Sequence, residues 1–297
     1  MSAAPRFRLD RHAVARSFDR ASGQYASAAH LQARVGAELL ERLQFFRLEP
    51  CVIVDLGCGI GAGAASMRHR FPRAQVIAID SAFLMTREAR RRQRFWRRFD
   101  CVCADGYALP LAAQSVDLVF SSLMLQWCDD PPALFAQVQR VLRPGGLMLF
   151  STFGPDTLHE LRTAWASADD QSHVSVFADM PQLGAAMSLS GLTEPVMDRE
   201  QQVTHYPDVR ALMTELRSVG ARHAAADRRR SLTGRTRMQS MLKAYEQLRT
   251  PAGLPATWEI LYGAGFASAP QAGVVASGGV QEIVVALGTI RSRGRSP

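Results

Sequence analysis

The sequence lacks the features that mark membrane-spanning, disulfide-stabilised or metal-bound proteins. Its apolar runs fall short of the roughly 18 residues that a transmembrane helix needs, and its N-terminus has no signal-peptide pattern. The five cysteines form no Cys-x-x-Cys pair, and four of them lie within or beside predicted buried strands. We therefore expect a cytoplasmic protein with no membrane partner, no disulfide framework and no metal ion.

Negative charge is also in short supply. The chain of 297 residues carries 35 Lys and Arg against 27 Asp and Glu, a formal net charge of +8, and 47% of its residues are hydrophobic. That apolar content supports a full core in one large domain or in a domain with a sizeable insertion. A dense run of arginines falls on one predicted helix and its exit: Arg87, Arg90, Arg91, Arg92, Arg94, Arg97 and Arg98. Such a run is either a solvated helix face or a docking surface for an acidic partner.

The most informative pattern is a short apolar strand that breaks into glycines. Valine and isoleucine cluster in Cys51–Leu56 without a helical period, which predicts a buried strand. Alternating glycines follow at Gly57, Gly59 and Gly61. Because glycine has no Cβ, the backbone can turn sharply there and approach a ligand closely. The next segment, 62–70, is predicted to be a helix whose first amides face the loop, so the pattern indicates a nucleotide-like ligand at the carboxyl end of a parallel sheet.

Two further predicted strands also lead into acids. The second strand ends at Asp80, 19 residues after Gly61, where a carboxylate can accept both hydroxyls of a ribose. Asp80 is equally suited to cap the helix that follows. The third strand, Phe99–Ala104, leads into Asp105, which on its own would indicate only a turn. Together with Asp55 on the first strand, these acids form a repeated pattern that chance explains poorly.

The remaining apolar segments complete a βαβ series. A fourth strand, Val116–Phe120, and a fifth, Gly146–Phe150, flank a helix at Pro131–Leu142. Two more strands are predicted at 193–205 and 255–262, with helical segments inserted after strands five and six. The sequence therefore predicts an α/β fold, a doubly wound Rossmann-like sheet of seven strands with N-terminal helices before it.

The glycine loop resembles that of one enzyme superfamily. Asp55-Leu-Gly-Cys-Gly-Ile-Gly61 is similar to the acid-x-G-x-G-x-G loop of class I S-adenosylmethionine methyltransferases, although its glycines also fit the dinucleotide fingerprint. The resemblance implies S-adenosylmethionine as co-substrate, with Asp55 near its methionine amino group and Asp105 beside its adenine amino group. The expected donor-binding residues are Asp55, Gly57, Gly59, Gly61, Asp80, Asp105 and Ser121.

The residues after the fourth strand bear on the methyl acceptor. Enzymes that methylate the exocyclic amines of bases carry Asp/Asn-Pro-Pro-Tyr/Phe there, whereas Ser121–Cys128 is Ser-Ser-Leu-Met-Leu-Gln-Trp-Cys. Methylation of cytosine C5 needs a cysteine nucleophile on a Pro-Cys turn. The Pro50-Cys51 pair of this chain begins the first strand, at the opposite end of the sheet from the ligand. Both patterns argue against methylation of a nucleic acid. Only the positive net charge favours a nucleic-acid acceptor.

Several longer blocks resemble a single family: Ser121–Cys128, Gly154–Arg162, His173–Phe177, Leu216–His223, Leu232–Arg235 and Leu254–Trp258. They are similar to blocks of the malonyl-acyl-carrier-protein O-methyltransferases of biotin synthesis, and the resemblance runs roughly over Phe18–Phe266. It implies methyl transfer to the free carboxylate of a malonyl thioester that acyl carrier protein presents.

The implied chemistry needs alignment more than proton transfer. A carboxylate is ionised at neutral pH because its unperturbed pKa is about 4, so no general base is required. The enzyme must hold an oxygen, the methyl carbon and the sulfur in line and remove water from the nucleophile. The candidates for positioning the acceptor are Tyr25, His30, Gln126, Trp127 and His223. The candidates for contacting the acidic carrier protein are Arg222, Arg228, Arg229 and Arg235.

The chain is expected to divide by role into an N-terminal arm with lid helices, a donor-binding core, acceptor-recognition segments that complete the sheet, and a tail without an assigned role. These are residues 1–50, 51–153, 154–266 and 267–297, in that order. The first division contains helices predicted at 12–25 and 28–46, which either cover the donor site or simply pack against the core.

Two other assignments remain open at the level of sequence. Several of the same blocks also resemble the mitochondrial complex I assembly factor that hydroxylates an arginine. Gln126 beside Trp127, together with Leu232–Arg235, favours the carboxyl methyltransferase instead. The second alternative is a catalytically silent assembly protein that keeps the fold, and the complete set of glycines and acids in the donor-binding pattern disfavours it.

Overall fold

The computed structural model describes residues 9–95, 97–221 and 234–268, which fold around one seven-stranded sheet. The strands are β1 (Val52–Leu56), β2 (Gln75–Asp80), β3 (Asp100–Cys103), β4 (Val116–Ser122), β5 (Leu142–Phe153), β6 (Leu192–Tyr206) and β7 (Leu254–Ala267). Their order across the sheet is β3-β2-β1-β4-β5-β7-β6. Strand β7 runs antiparallel to both neighbours, whereas the other pairs are parallel. The predicted doubly wound, seven-stranded α/β fold is confirmed.

Helices cover both faces of the sheet. Those in the described residues are α1 (Arg11–Ala21), α2 (Tyr25–Ala28), α3 (His30–Arg42), α4 (Ala62–Arg70), α5 (Phe83–Arg92), α6 (Pro131–Val141), α7 (His159–Ala166), α8 (Met180–Leu189), α9 (Val209–Ser218) and α10 (Arg235–Glu246). Helices α7 and α8 follow β5, and α9 and α10 follow β6, at the two predicted insertions. Within the described part of the chain, no helix has the length and apolar character that crossing a membrane requires.

Alternate residues of the central strands feed two separate cores. Ile53 of β1 is fully buried in the core that contains Val35 and Leu39 of α3, while Val54 is fully buried in the core that contains Leu134 of α6. Side chains of a strand alternate between its two faces, and helices cover both faces of a parallel sheet. This arrangement explains why the sequence of β1 is a continuous apolar run rather than an alternation of apolar and polar residues.

The N-terminal helices are shorter than predicted. The helix predicted at 12–25 ends at Ala21, and the helix predicted at 28–46 begins at His30 and ends at Arg42. Glycine is a poor helix former, and Gly23 lies between α1 and the short helix α2. The two predicted helices therefore become three, which lets the chain change direction between α1 and α3.

Helix α1 lies at the carboxyl end of the parallel strands. The carboxylate of Asp19 accepts the Leu84 N–H at 2.7 Å, which fastens α1 to the start of α5. Four of its residues are buried: Ala13, Val14, Ser17 and Ala21. This position places α1 over the loops that follow β1, β2 and β3.

The last two strands are longer than predicted. Strand β7 continues beyond Tyr262 to Ala267 and pairs there with both β5 and β6. Glycines weaken a strand in a sequence-based prediction, and Gly263 and Gly265 ended the predicted strand early. In the folded protein they are required by packing, because a Cβ at Gly263 would clash with the ring of Phe150.

Candidate active site

A cavity of about 590 Å³ opens at the carboxyl ends of the parallel strands, beneath helix α1. Its wall contains four of the predicted donor-binding residues and two of the predicted acceptor-positioning residues: Gly57, Gly59, Asp80, Asp105, Tyr25 and Trp127. The strand order reverses between β1 and β4, and ligands of open α/β sheets bind at such a reversal. The cavity is therefore the candidate active site.

The glycine loop needs its glycines for different reasons. Gly57, Gly59 and Gly61 all have positive φ angles, of 75°, 52° and 81°, which residues with a Cβ rarely adopt. A Cβ at Gly57 would also clash with the side chain of Met124, and one at Gly61 would lie 2.9 Å from Phe99. Gly57 and Gly59 face the cavity, whereas Gly61 precedes α4 and packs towards α5 and Phe99. Gly61 thus supports the loop from behind.

Asp80 connects the end of β2 to the glycine loop. One carboxylate oxygen accepts the Gly59 N–H at 2.8 Å, and the other accepts the Ala82 N–H at 2.8 Å. Burial raises the pKa of Asp80, and these backbone N–H groups oppose the shift. A carboxylate has about four lone-pair positions, so Asp80 can accept further hydrogen bonds from a ligand in the cavity.

Asp55 lies behind the loop. Its side chain is buried, with 2% of the residue exposed, and its Oδ2 has no hydrogen-bond partner among the described residues. Burial raises the pKa of Asp55 from 3.8 to about 7; the Ala64 N–H opposes that shift, and the charge of Asp80 adds to it. The described residues that line the cavity include Leu56 and Gly57 but not Asp55. Asp55 can therefore act on a cationic ligand such as S-adenosylmethionine through its charge rather than as part of the cavity wall.

Asp105 lies at the mouth of the cavity. Its Oδ1 accepts the Tyr107 N–H at 3.0 Å, and its Oδ2 accepts a hydrogen bond from Arg11 Nη1 at 3.1 Å. The Tyr107 hydroxyl in turn donates to Asp129 at 3.1 Å and accepts the Asp130 N–H at 3.0 Å. These contacts fix the loop after β3 against the start of α6. Asp105 can therefore hold this turn, as its sequence position indicates, and also make the predicted contact with a ligand.

Ser121 has a structural position rather than a place in the cavity wall. It is fully buried, and its hydroxyl donates to the Leu56 carbonyl at 2.8 Å, which joins β4 to the end of β1. The next residue, Ser122, lines the cavity instead. Adjacent residues of a strand point to opposite faces, so the sequence alone does not show which of the two serines, Ser121 or Ser122, faces the cavity.

Aromatic side chains form the wall beyond β4. The ring of Phe18 from α1 packs edge-on against Trp127, with their centroids 5.3 Å apart, and lies 6.5 Å from the ring of Tyr25. Burial raises the pKa of Tyr25, and the charge of Asp80 raises it further. Tyr25 therefore keeps its proton near neutral pH and can donate a hydrogen bond. We call Phe18, Tyr25 and Trp127 the aromatic wall.

Gln126 turns away from the cavity wall. Its Nε2 donates to the Leu123 carbonyl at 2.6 Å, and its Oε1 accepts from the Thr152 hydroxyl at 3.3 Å. These bonds hold the turn after β4 against β5. In this structure Gln126 fixes the turn that presents its neighbour Trp127 to the cavity.

The other predicted acceptor and partner residues lie elsewhere. His30 is exposed at the start of α3, and Arg235 is exposed at the start of α10. The remaining predicted residues fall outside the described part of the chain: Arg222, His223, Arg228 and Arg229.

The sequence pattern did not indicate six further residues that line the cavity, which are the N-cap residue of α1 and five residues within the helix: Asp10, Arg11, His12, Val14, Ala15 and Phe18. Helix α1 carries buried small residues on one side and Arg16 and Arg20 on the exposed side, which indicates packing but not what it packs against. A cover over the donor site was one of two interpretations for this helix, and its position at the cavity favours that one. Among the described residues, no group of three or more His, Cys, Asp or Glu is arranged to hold a metal ion.

Comparison with known proteins identifies the family. Residues 54–150 match the family model of a methyltransferase domain. The chain is 41% identical over 271 residues to the malonyl-[acyl-carrier protein] O-methyltransferase of Gallionella capsiferriformans, an alignment that covers 89% of this chain and 93% of that one. It is 45% identical over 262 residues to the enzyme of the same name from Xylella fastidiosa, covering 87% and 88% of the two chains.

The chain belongs to the malonyl-[acyl-carrier protein] O-methyltransferase family. The resemblance seen in the blocks between Ser121 and Trp258 is thereby confirmed. Among solved structures, a SAM-dependent methyltransferase from Thermotoga maritima superposes with a TM-score of 0.52 at 15% identity, covering 86% of this chain and all of that one. At that identity the likeness supports the methyltransferase fold alone, and the family assignment rests on the curated relatives.

Proposed function

We propose that this chain transfers the methyl group of S-adenosylmethionine to the free carboxylate of a malonyl group carried by acyl carrier protein. The observation that carries the proposal is identity of 41–45% to relatives of that name over nearly nine-tenths of the chain. The product would be a methyl ester. Methylation removes the charge of the free carboxylate, while biotin synthesis extends the chain from the thioester end.

The donor would occupy the cavity between the glycine loop and α1. When bound, S-adenosylmethionine supplies an electrophilic methyl group on a sulfonium. Asp80 would accept hydrogen bonds from the ribose hydroxyls, Asp105 would accept one from the adenine amine, and the charge of Asp55 would favour the methionine ammonium. The buried Asp55 oxygen without a hydrogen-bond partner supports this orientation, because a nearby cation would stabilise its ionised form.

The acceptor carboxylate would enter against the aromatic wall. It arrives ionised, so the enzyme needs neither a base nor a relay of protons. Tyr25 is protonated at neutral pH, as an ordinary tyrosine is, and burial raises its pKa further. It would donate a neutral hydrogen bond, which orients the carboxylate and weakens its nucleophilicity less than a charged group would. Phe18 and Trp127 exclude water, and a desolvated carboxylate is the stronger nucleophile.

The carrier protein would contact basic residues in the segment 222–235 of the sequence, which leads into α10. Acyl carrier proteins of this pathway are acidic, so the arginines at 222, 228, 229 and 235 offer charge of the opposite sign. Of these, Arg235 is exposed at the start of α10. On this proposal residues 1–50 cover the donor, residues 51–153 bind it, and residues 154–266 receive the acceptor. Residues 267–297 keep no assigned role. The reaction would take place in the cytoplasm, where the carrier protein is found.

A methyl-transfer assay tests the proposal. The purified chain is incubated with S-adenosylmethionine labelled in its methyl group and one acceptor at a time: malonyl-acyl carrier protein, malonyl-coenzyme A, free malonate or bulk RNA. We expect label on the malonyl thioesters, with the carrier protein preferred, and none on free malonate or RNA. Label on RNA alone, or on none of the four acceptors, would refute the assignment.

A further inference from the structure

Arg11, the first residue of α1, bridges two residues at the mouth of the cavity. Its Nη1 donates to Asp105 Oδ2 at 3.1 Å, and its guanidinium carbon lies 4.8 Å from the centre of the Tyr107 ring. Arg11 and Asp105 are 94 positions apart in the chain, so the contact joins the N-terminal helix to the loop after β3. All three residues line the cavity. We call Arg11, Asp105 and Tyr107 the latch.

The two ends of α1 are held differently. Near its C-terminal end, Phe18 packs against Trp127 and the Asp19 carboxylate accepts the Leu84 N–H at 2.7 Å. At the latch, the side chains of Arg11 and Asp105 are 52% and 51% exposed. Water and salt weaken an exposed ion pair far more than a packed aromatic contact. The latch is therefore the contact that opens most easily when a ligand enters or leaves beneath α1.

We propose that Arg11 is a positioning residue for the methyl donor, which orients Asp105 towards the adenine amine and fastens α1 over the bound molecule. The inference rests on the proposed function, because it takes the cavity as the seat of S-adenosylmethionine. Asp105 accepts from Tyr107 on one oxygen and from Arg11 on the other. A carboxylate has about four lone-pair positions, so an exocyclic amine can be added without displacing either contact.

The latch should slow the dissociation of the bound ligand. An exposed ion pair and one cation–π contact are each weak, so removing both should speed ligand departure by roughly three- to tenfold. Arg11 is not among the residues proposed to orient the acceptor, which are those of the aromatic wall. Loss of Arg11 should therefore raise the KM for S-adenosylmethionine and the rate of product departure, and it should not slow methyl transfer in a single turnover.

Stopped-flow tryptophan fluorescence measures the departure of S-adenosylhomocysteine, with Trp127 beside α1 as the reporter. The variants are Arg11→Ala, Arg11→Lys and, as a control on the exposed face of the same helix, Arg16→Ala. We expect departure to be roughly three- to tenfold faster in Arg11→Ala and unchanged in Arg16→Ala. Arg11→Lys should lie between them, because lysine keeps the charge but loses the planar fork that pairs and stacks. Added salt should speed departure from the unmodified protein and have little effect in Arg11→Ala.

The outcomes separate this inference from the proposed function. If the unmodified protein does not bind S-adenosylhomocysteine, the proposed function fails. If it binds and methylates, but Arg11→Ala releases ligand no faster than Arg16→Ala, the latch alone is refuted. Should Arg11→Ala fail to fold, judged by its thermal melt, the salt series on the unmodified protein decides: departure that is insensitive to salt overturns the proposal.

Discussion

The glycine loop and the aromatic wall face the same cavity but are assembled in different ways. The loop is local: Gly59 and Asp80 belong to successive βα units, and the Gly59 N–H donates to the Asp80 carboxylate at 2.8 Å. The aromatic wall draws Phe18 from α1 and Trp127 from the turn after β4, which are distant in the chain. The proposed donor side is therefore encoded by a short motif, whereas the aromatic wall forms only when α1 packs against the turn after β4.

Removing the Asp80 carboxylate tests the loop side most severely. In Asp80→Ala we expect the Kd for S-adenosylhomocysteine to rise roughly 10- to 150-fold for each hydrogen bond lost to the ligand, because a hydrogen bond to a charged group contributes about 1.5–3 kcal/mol. Isothermal titration calorimetry measures the change.

Asp117→Ala is the matched control for Asp80→Ala. Asp117 also accepts two backbone N–H groups, those of Cys51 and Val52 at 2.8 Å each, but at the opposite end of the sheet. This variant should lose stability and keep the Kd of the unmodified protein. Equal losses of affinity in the two variants would mean that Asp80 acts on the fold and not on the ligand.

Charge reversal tests the acceptor side. Replacing Arg228, Arg229 and Arg230 by glutamate should raise the KM for malonyl-acyl carrier protein by roughly tenfold or more at low salt, since like charges then oppose encounter. The same triple change at Arg90, Arg91 and Arg92 on α5 alters the net charge equally and serves as the control. If the α5 variant suffers the larger loss in steady-state kinetics, the carrier protein docks on α5 and the proposed acceptor surface is wrong.

The raised pKa of Asp55 gives the donor side a pH dependence. The folded protein holds the Asp55 proton up to about pH 7, from an ordinary value of 3.8. Because the unfolded chain releases that proton earlier, this group makes the unliganded fold most stable below about pH 4 and lowers stability as pH rises towards 7, by at most about 4 kcal/mol.

A bound cation favours the ionised acid, so affinity for S-adenosylhomocysteine should increase as pH rises through 7, by roughly tenfold between pH 6 and 8. Titration calorimetry across that range measures it. In Asp55→Asn this dependence should vanish, and thermal melts should show an unliganded protein that is more stable than the unmodified one at pH 8. A pH dependence that survives in Asp55→Asn would place its origin in another group.

The smallest effect is expected at Gln126. Its side chain bonds to Leu123 and Thr152 within the turn, so Gln126→Ala should lower the free energy of unfolding by about 1–2 kcal/mol. Activity should fall only a few-fold through displacement of Trp127, with the Kd for S-adenosylhomocysteine unchanged. Gln239→Ala, on the exposed face of α10, controls for loss of a glutamine. If Gln126→Ala has full stability and no activity, Gln126 contacts the acceptor directly, as the sequence predicted.

The sequence predicted the parallel strands and the loops at their carboxyl ends for a physical reason. Strands β1, β2 and β3 are short runs bounded by turns, and Asp55, Asp80 and Asp105 lie at or just after the ends of those runs. Helix α4 was predicted with the same bounds as observed, Ala62–Arg70.

The rest depended on contacts that no local pattern records. The side chain that faces the cavity at Ser121-Ser122 depends on strand rotation, and the inward turn of Gln126 depends on Thr152 of a neighbouring strand. The pairing of Arg11 with Asp105 spans 94 positions, and nothing in either segment indicates the other.

The location of the transferred methyl group distinguishes carboxyl methylation from every alternative reaction. After a single turnover of labelled S-adenosylmethionine with malonyl-acyl carrier protein, we expect one label per malonyl group, held as an ester that mild alkali releases as labelled methanol. The Asp80→Ala enzyme at the same donor concentration should transfer little. Label that resists alkali, or that lies on the carrier protein itself when the malonyl group is absent, would contradict carboxyl methylation.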